Sequence, residues 1–357
     1  MTDETHDAVL VLGFGGPEGP EDVLPFLENV TRGRNVPRER LEEVARQYDR
    51  FGGVSPINEQ NRALVDALQA ELDRRGRSLP VVLGNRNWHP FVEDTVAGLV
   101  LAGRRRVVAF ATAAYSSYSA CRQYHEDIER ARTSAGEDAP VIDKVRPFWN
   151  HPGFIEAATD QVRIALAHHP VGATGAPRLV FTAHSIPLTM AETSDYEAQL
   201  RDAAALVVDA LGDEAPAGDW DLVFQSRSGP PQVPWLEPDI VDHLGALAAD
   251  GVTDVVVVPI GFLSDHMEVK YDLDTQAAEA AEELGLRLTR AATVGTHPSF
   301  VRAVADLVDE IVVGAEPQAL GPLGPRVWPC RPDCCPRPHR PPPSSRIGGD
   351  PTPSGGT

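Results

Sequence analysis

Short apolar runs alternate with amphipathic segments along most of the chain. The apolar runs have no regular polar alternation, as expected for strands covered on both faces of a sheet. They comprise residues 8–12, 81–84, 106–112, 178–182, 221–225 and 254–259. Strands of this kind separated by helices are typical of parallel sheets with crossover connections. The sequence therefore predicts an α/β fold.

Helical spacing is clearest at residues 300–312, where the apolar side chains fall on one stripe. Ser299 is the expected N-cap of this helix. Residues 61–74 and 196–211 repeat the pattern, with charged residues on the opposite face. We expect each of these helices to cover a face of a sheet.

A chain of 357 residues with 42% hydrophobic content can hold two domains. The turn-rich run 172–177 separates two halves with the same order of strands and helices, which suits two Rossmann-like units. We predict domains at 7–155 and 156–316. Twelve of the 32 prolines lie in 317–357, and we expect this tail to lack a core and to end in disorder.

The charge balance limits the classes of partner. Lys and Arg total 32 against 52 Asp and Glu, a net charge of −20, which argues against a nucleic-acid partner. The longest apolar run, near 255–263, is well short of the ~20 residues that span a bilayer. We expect a cytoplasmic protein without a transmembrane segment.

The glycine-rich turn GFGGP at 13–17 invites a dinucleotide-binding interpretation. The G-x-G-x-x-G pattern would need glycine at position 18, where Glu18 stands, and an acidic side chain would repel a pyrophosphate. A tight connection between a strand and a helix is the favoured interpretation.

Two other strand ends carry more chemistry. His184 lies where one apolar strand ends, and the segment 259–268 places a histidine and two acidic residues after another. Ligands of parallel sheets sit at the carboxyl ends of strands, so His184 and Glu268 can converge on one cleft. A lone histidine is more often structural, but the joint pattern favours catalysis.

With these strand ends the chain resembles a ferrochelatase, an enzyme that inserts Fe²⁺ into a porphyrin. The matching segments are LGFGGPEGPEDVLPFLENVTRGRNVP (12–37), YDRFGGVSPIN (48–58), GNRNWHPFVEDT (84–95), YSSYSACRQYHEDI (115–128), RPFWNHPGF (146–154), FTAHSIP (181–187), FQSRSGPPQVPWLEPD (224–239) and VPIGFLSDHMEVKYDLD (258–274). The resemblance implies two Rossmann-like domains with parallel four-stranded sheets, flanked by helices, around a porphyrin cleft. It implies that His184 faces the metal and the pyrrole nitrogens, with Glu268 as its acidic partner.

Metal insertion releases two pyrrole protons and brings in a dication, so a base of near-neutral pKa is needed at the macrocycle centre. A neutral His184 suits this role, and Glu268 offsets the added positive charge. Asp265 and Asp272 would extend an acidic path outward. Phe262 and Trp235 are candidate walls of the cleft, with an interpretation as core aromatics equally open.

The four cysteines form a second candidate site. Cys121 lies in YSACRQY, and Cys330, Cys334 and Cys335 lie in the proline-rich tail. Four thiolates suit a [2Fe–2S] cluster, and the arrangement resembles that of family members that carry one. A structural zinc site and free thiols are the alternatives, although the adjacent pair departs from C-x-x-C zinc knuckles.

Four residues match positions that look like propionate-binding sites in bacterial relatives: Arg32, Arg34, Ser55 and Tyr124. Guanidinium groups bind carboxylates bidentately, which favours coproporphyrin III, with four propionates, over protoporphyrin IX, with two. Phe14 stands where some relatives have a tyrosine as a metal ligand, so that role is absent or lies elsewhere.

These observations predict a ferrochelatase that inserts Fe²⁺ into coproporphyrin III. Protoporphyrin IX is the alternative substrate, and a non-catalytic tetrapyrrole carrier or iron–sulfur sensor is the alternative from a different class. The resemblance also implies transient contact with the enzymes that produce the porphyrin and process the haem.

Overall fold

The computed structural model describes residues 6–170, 176–229, 231–326, 329–330 and 334–337. Within these residues the strands form two parallel four-stranded sheets. The strands are β1 (Ala8–Gly13), β2 (Val81–Asn85), β3 (Arg106–Ala111), β4 (Val141–Lys144), β5 (Arg178–His184), β6 (Asp221–Gln225), β7 (Asp254–Val258) and β8 (Arg287–Arg290). The predicted α/β class with two four-stranded parallel sheets is confirmed.

Both sheets follow one order of strands. The first is β2-β1-β3-β4 and the second is β6-β5-β7-β8, so the first strand of each half lies in the interior of its sheet. Val9 lies beside Val81 and Val108 in the first sheet. All residues of β1 and β7 are buried, as expected for strands covered by helices on both faces.

Helices connect the strands and cover the sheets. They are α1 (Pro20–Val30), α2 (Arg38–Asp49), α3 (Ile57–Arg74), α4 (Val92–Leu101), α5 (Gln123–Ala135), α6 (Pro152–His168), α7 (Leu188–Ala191), α8 (Tyr196–Leu211), α9 (Ile240–Ala249), α10 (Met267–Tyr271), α11 (Ala278–Leu284) and α12 (Pro298–Val312). Two π-helical turns, Tyr118–Arg122 and Asp272–Ala277, precede α5 and α11. In the described part of the chain no helix is long and apolar enough to cross a membrane.

The last helix crosses to the first half of the molecule. α12 follows the second sheet in sequence but packs against α3, α6 and β3. Its Phe300 is fully buried and contacts the rings of Phe110, Phe148 and Phe154. The division at 155/156 stays a prediction, and the structure adds that α12 completes the core of the first sheet.

The start of α12 differs from its predicted cap. His297 is the N-cap residue, and its Nδ1 accepts a hydrogen bond of 3.3 Å from the backbone N–H of Ser299. Ser299 is therefore the second residue of the helix and not its N-cap, because Pro298 occupies the first helical position.

The tail begins along the first half of the molecule. The backbone N–H of Leu320 donates to the carbonyl of Asn150 at 2.8 Å, and Arg146 donates to the carbonyl of Gln318 at 2.7 Å. The predicted linker at 172–177 and the predicted disorder at the end of the tail fall largely on 171–175 and 338–357, which lie outside the described residues.

Candidate active site

His184 is the last residue of β5 and lies beside Gln225, the last residue of β6. Its ring Nδ1 is hydrogen-bonded to the carbonyl oxygen of Ser185. A carbonyl can only accept, so Nδ1 carries a proton and Nε2 is the nitrogen directed at other groups. The strand end therefore fixes both the position and the tautomer of the imidazole.

Glu268 meets this histidine from the second residue of α10. Its Oε1 lies 3.3 Å from Nε2 of His184, and the two side chains are 46% and 30% exposed. His266 caps the helix, with Nδ1 accepting from the backbone N–H of Glu268 at 3.1 Å. Gln225 also holds this turn, donating to the carbonyl of Glu268 at 2.7 Å. The two residues predicted from sequence are thus brought together at the carboxyl end of the second sheet, where β5 and β6 finish.

The electrostatics of the pair favour one shared proton. Burial lowers the pKa of His184, but the Glu268 carboxylate and two hydrogen bonds outweigh it and raise the pKa to about 9. Burial raises the pKa of Glu268, and the attraction of His184 outweighs it, so the net pKa is lowered. Near neutral pH the pair is therefore an imidazolium and a carboxylate. From the sequence we expected a neutral imidazole.

Asp272 is the neighbouring group that titrates near neutrality. Burial raises its pKa to about 7, a hydrogen bond from Ser226 opposes the rise, and the charge of Glu268 adds to it. Asp272 opens the π-helical turn that follows α10, and such turns recur at functional sites. Asp272 is one of the two residues expected to extend an acidic path, and its carboxyl group can exchange protons at pH 7.

Asp265, the other residue of the predicted acidic path, contacts both halves of the molecule. Its carboxylate lies 3.2 Å from Nη2 of Arg290 and accepts from Thr293 at 3.2 Å. Its backbone N–H donates to Gln60 of the first half at 2.8 Å. These contacts commit Asp265 to joining the two halves beside the site, and they leave Asp272 as the acidic neighbour of the pair.

The α1–α2 hairpin covers the site from the first half. Phe26, Leu41 and Tyr48 form a buried apolar cluster with Met267, the residue that precedes Glu268. Burial raises the pKa of Tyr48, and the nearby charge of Glu268 adds to the effect. The α1–α2 hairpin therefore contacts the segment that carries Glu268, next to His184.

The predicted propionate contacts lie in different surroundings. Arg32 and Arg34 are exposed on the loop between α1 and α2, and Arg32 donates to Asn29. Ser55 and Tyr124 are 4% exposed. The guanidinium of Arg86 covers the Tyr124 ring at 4.0 Å, so Tyr124 offers no open surface to a carboxylate in this conformation.

The two predicted aromatic walls also differ. Phe262 is 7% exposed and belongs to the core of the second sheet, where its ring supports the ring of His266 at 4.9 Å. Trp235 is half-buried beside the turn after β5, and its backbone bridges to Pro187. Its indole N–H is buried, and no partner for it is found among the described residues.

The four cysteines come from two segments and approach one another. Cys121 is buried in the first π-helical turn. Sγ of Cys334 lies 3.6 Å from Sγ of Cys335. Burial, followed by the charges of Cys334, Cys121 and Cys330, raises the pKa of Cys335. Among the residues that the structure describes, no three His, Cys, Asp or Glu side chains are arranged to hold a metal ion.

Known proteins resemble this chain over most of its length. A profile of the family described as ferrochelatase matches residues 6–311. Ferrochelatase from Rhodopirellula baltica is 52% identical over 341 residues, which cover 94% of this chain and 95% of that protein. The chain belongs to the ferrochelatase family. Metal insertion into a porphyrin is accordingly its class of reaction.

Other members of the ferrochelatase family are equally similar. The coproporphyrin III ferrochelatase of Nocardia farcinica is 52% identical, covering 94% of this chain and 98% of the relative. That of Mycolicibacterium vanbaalenii is 54% identical, covering 88% and 93%. The solved structure of SirB from Bacillus subtilis with Fe³⁺ has a TM-score of 0.53 at 14% identity, covering 87% of this ferrochelatase and 97% of SirB. The likeness to SirB shows a shared fold.

Sequence reasoning missed several residues of the site. Gln225 was detectable, since it ends the strand next to β5 and strand ends carry ligands. Tyr196 had no such signal: it starts a helix, and its hydroxyl donates to the backbone carbonyl of His184 at 3.0 Å. Only the folded chain brings that helix to the catalytic strand.

Proposed function

We propose that this ferrochelatase inserts Fe²⁺ into coproporphyrin III and releases the two pyrrole protons. The observation that carries the proposal is the His184–Glu268 pair, with Nε2 and Oε1 3.3 Å apart and both side chains partly exposed. The names of relatives more than 50% identical over most of the chain support the choice of porphyrin.

His184 and Glu268 are the proposed catalytic residues and the proposed contacts of the substrate Fe²⁺. A dication near the pair lowers the proton affinity of both groups, so the shared proton passes to Asp272 and from there to solvent as the metal approaches. The deprotonated Nε2 can then take a pyrrole proton, because Nδ1 stays bonded to the carbonyl of Ser185. Asp272 is the proposed next acceptor, since its pKa of about 7 lets it take and release protons at neutral pH.

The proposed porphyrin contacts come from both halves. Arg32 and Arg34, on the exposed loop of the hairpin, would bind propionates, and Trp235 would wall the cleft beside His184. Ser55, Tyr124 and Phe262 also remain proposed porphyrin contacts, and each is buried in this structure. Protoporphyrin IX is the alternative substrate.

We also propose that Cys121, Cys330, Cys334 and Cys335 hold a [2Fe–2S] cluster. Two thiolates on one tetrahedral metal with bonds of ~2.3 Å lie ~3.8 Å apart, close to the 3.6 Å between the Sγ atoms of Cys334 and Cys335. The four thiols are the donor type that such a cluster takes, but no three described side chains are arranged in this structure to hold a metal ion. When bound, the cluster would tie the tail to the π-helical turn and supply one-electron chemistry.

A cytoplasmic location and transient contacts with neighbouring enzymes belong to the same proposal. None of the four cysteines forms a disulfide in the structure, which suits a reducing compartment. The enzymes that supply the porphyrin and process the product are the expected partners, and a pull-down with the purified chain would identify them.

An anaerobic assay with Fe²⁺ and each porphyrin, followed by the Soret shift, tests the activity. His184→Ala should lower the insertion rate by about 10² to 10⁴-fold, because a general base is lost, while porphyrin binding persists. His168→Ala is the matched control: this exposed histidine lies on α6 and its loss should leave the rate unchanged. Near-normal turnover by His184→Ala would refute the assignment, and no turnover by wild type with either porphyrin would favour a carrier.

The choice of substrate is tested with Arg32→Ala and Arg34→Ala. Propionate contacts stabilise the bound substrate and the transition state equally. Their loss should therefore raise KM for coproporphyrin III more than it lowers kcat. The effect should be smaller for protoporphyrin IX. Equal effects on both porphyrins would remove this argument for the four-propionate substrate.

A further inference from the structure

We propose that Gln60, on the first half of the molecule, is a positioning residue for Glu268. This inference rests on the catalytic role proposed above for Glu268. Gln60 acts through the acid loop, which is the segment 259–266 that connects β7 to α10 and so carries Glu268 to His184.

The acid loop follows a strand of the second sheet, but two of its residues are hydrogen-bonded to the first half. The Tyr115 hydroxyl donates to the backbone carbonyl of Ile260 at 2.7 Å. The backbone N–H of Asp265 donates to Oε1 of Gln60 at 2.8 Å. One contact holds the start of the loop and the other holds its end, so the place of Glu268 depends on both halves.

Asp265 passes the contact with the first half on to Glu268. Its side chain is held in the second half by Arg290 and Thr293, each at 3.2 Å. The next residue, His266, caps α10 by accepting from the backbone N–H of Glu268 at 3.1 Å. A shift of the Asp265 backbone therefore moves the residue that sets the start of α10, and Glu268 moves with it.

The support of Gln60 is rigid. Gln60 is the fourth residue of α3, and the side chains of Leu64 and Leu68 on this helix are buried in the core. At the start of the helix Asn58 donates to the backbone carbonyl of Gly16 at 2.9 Å. Reacting groups are held accurately when their supports are fixed by packing and hydrogen bonds, and α3 meets this condition.

Gln69 provides an internal comparison on the same helix. Its Oε1 accepts a hydrogen bond of 2.8 Å from the backbone N–H of Val81, which matches the bond that Gln60 accepts in type and length. Both glutamines are half-buried. Val81 starts β2 in the first sheet, so the two residues separate the loss of such a hydrogen bond from the loss of contact with the acid loop.

The test compares Gln60→Met with Gln69→Met in the anaerobic assay with Fe²⁺ and coproporphyrin III. Methionine keeps the length of the side chain and offers only a weak acceptor. Misplacing a reacting group by ~1 Å can cost up to ~10²-fold, so Gln60→Met should lower kcat about tenfold and leave KM for the porphyrin within twofold. Gln69→Met should keep kcat within twofold of wild type.

Three results of this comparison would overturn the inference. They are a kcat of Gln60→Met within twofold of wild type, an equal loss of kcat in Gln69→Met, and a loss carried mainly by KM. Gln60→Glu keeps an acceptor oxygen at the same reach and should recover most of the rate. If Gln60→Glu is as slow as Gln60→Met, acceptance of the hydrogen bond is not what matters and the inference is wrong.

A second measurement asks whether Gln60 acts through Glu268. In Glu268→Gln there is no carboxylate left to place, so adding Gln60→Met should lower the rate at most threefold further. A further tenfold loss contradicts the inference. Gln60→Asn, whose amide is one methylene shorter, replaces Gln60→Met if the methionine variant does not fold.

The proposed function and this inference fail in different ways. Wild-type protein that metallates neither porphyrin overturns the proposed function. Normal turnover by Gln60→Met, in an enzyme that His184→Ala inactivates, overturns this inference alone.

Discussion

At the scale of single residues, the His184–Glu268 pair is held by three contacts from different segments. Ser185 fixes the proton on Nδ1 of His184, Glu268 faces Nε2, and Tyr196 holds the backbone of the histidine. The strand-end rule located His184 and Glu268 from sequence. The raised pKa of the histidine was not predictable, because it depends on a 3.3 Å approach between residues 84 positions apart in the chain.

Glu268→Gln should lower the pKa of His184 from about 9 to its ordinary value or below. The carboxylate that raises this pKa is removed, while the burial that lowers it remains. The pH at which the imidazole becomes neutral therefore moves downward. The measurement is a pH titration of isotope-labelled histidine by NMR, with exposed Glu192→Gln as the control.

The insertion rate of Glu268→Gln should also fall, less than that of His184→Ala, because the amide keeps hydrogen bonding and loses the charge that attracts Fe²⁺. An unchanged histidine pKa would mean that the carboxylate does not govern the pair. An unchanged rate would move the acidic role to Asp272.

At the scale of elements, the two edge strands show where sequence patterns stop being informative. The six predicted strands are present, but β4 and β8 were not predicted. Their sequences, VIDK and RLTR, are four residues long, and two of the four residues in each are charged. They lie at the open edges of the sheets, so part of their stability comes from ion pairs rather than from an apolar run.

Asp254 supplies such an ion pair at β8. Its carboxylate is 4% exposed and pairs with Arg287 on β8 and with His169 at 2.9 Å. Asp254→Asn should lower the free energy of unfolding by about 1.5 to 3 kcal/mol, because a buried carboxylate loses its charge-assisted hydrogen bonds to Arg287 and His169. Denaturant unfolding at pH 7 measures this, and Asp250→Asn, exposed after α9, should stay within ~0.5 kcal/mol of wild type.

The effect of Asp254→Asn should depend on pH. Hydrogen bonds from Arg287 hold the pKa of Asp254 below its ordinary value despite opposing desolvation. A lowered pKa gives stability that is present above the unfolded pKa of ~3.9 and is lost as pH falls below it. The gap between wild type and variant should therefore be full at pH 7 and shrink below pH ~4. A gap as large at pH 2 as at pH 7 would assign it to packing.

The helices give a similar lesson about prediction. The apolar stripe of α12 was visible in the sequence because periodicity records which face is buried. It does not record what covers that face. The stripe therefore predicted a helix at 300–312 but not its place on the first sheet.

At the scale of the whole molecule, the two halves share one apolar core. A continuous cluster of buried side chains runs from Val9 in the first sheet to Val256 in the second. Polar contacts reinforce it, including the Tyr115 hydroxyl to the carbonyl of Ile260 at 2.7 Å and the Trp149 indole to Asp202 at 2.8 Å. The halves should therefore unfold as one unit.

Phe300→Ala tests this unity. The substitution removes a fully buried ring and should cost about 3 to 5 kcal/mol. Hydrogen exchange should show equal losses of protection in β1 and β5, although Phe300 lies in the second half of the sequence. The exposed Leu101 (89%) supplies the control Leu101→Ala, which should have little effect. A loss confined to either sheet would show that the halves unfold separately.

Because α12 packs on the first sheet but comes late in the sequence, the first sheet is synthesised well before the helix that covers it. The first sheet is complete once Lys144 has left the ribosome, but the helix that covers Phe110 and Phe148 starts only at Pro298. At 5–20 residues per second, translation of the intervening chain takes roughly 8 to 30 s. For that interval the nascent first domain has an uncovered aromatic face, which makes it a natural client for ribosome-associated chaperones.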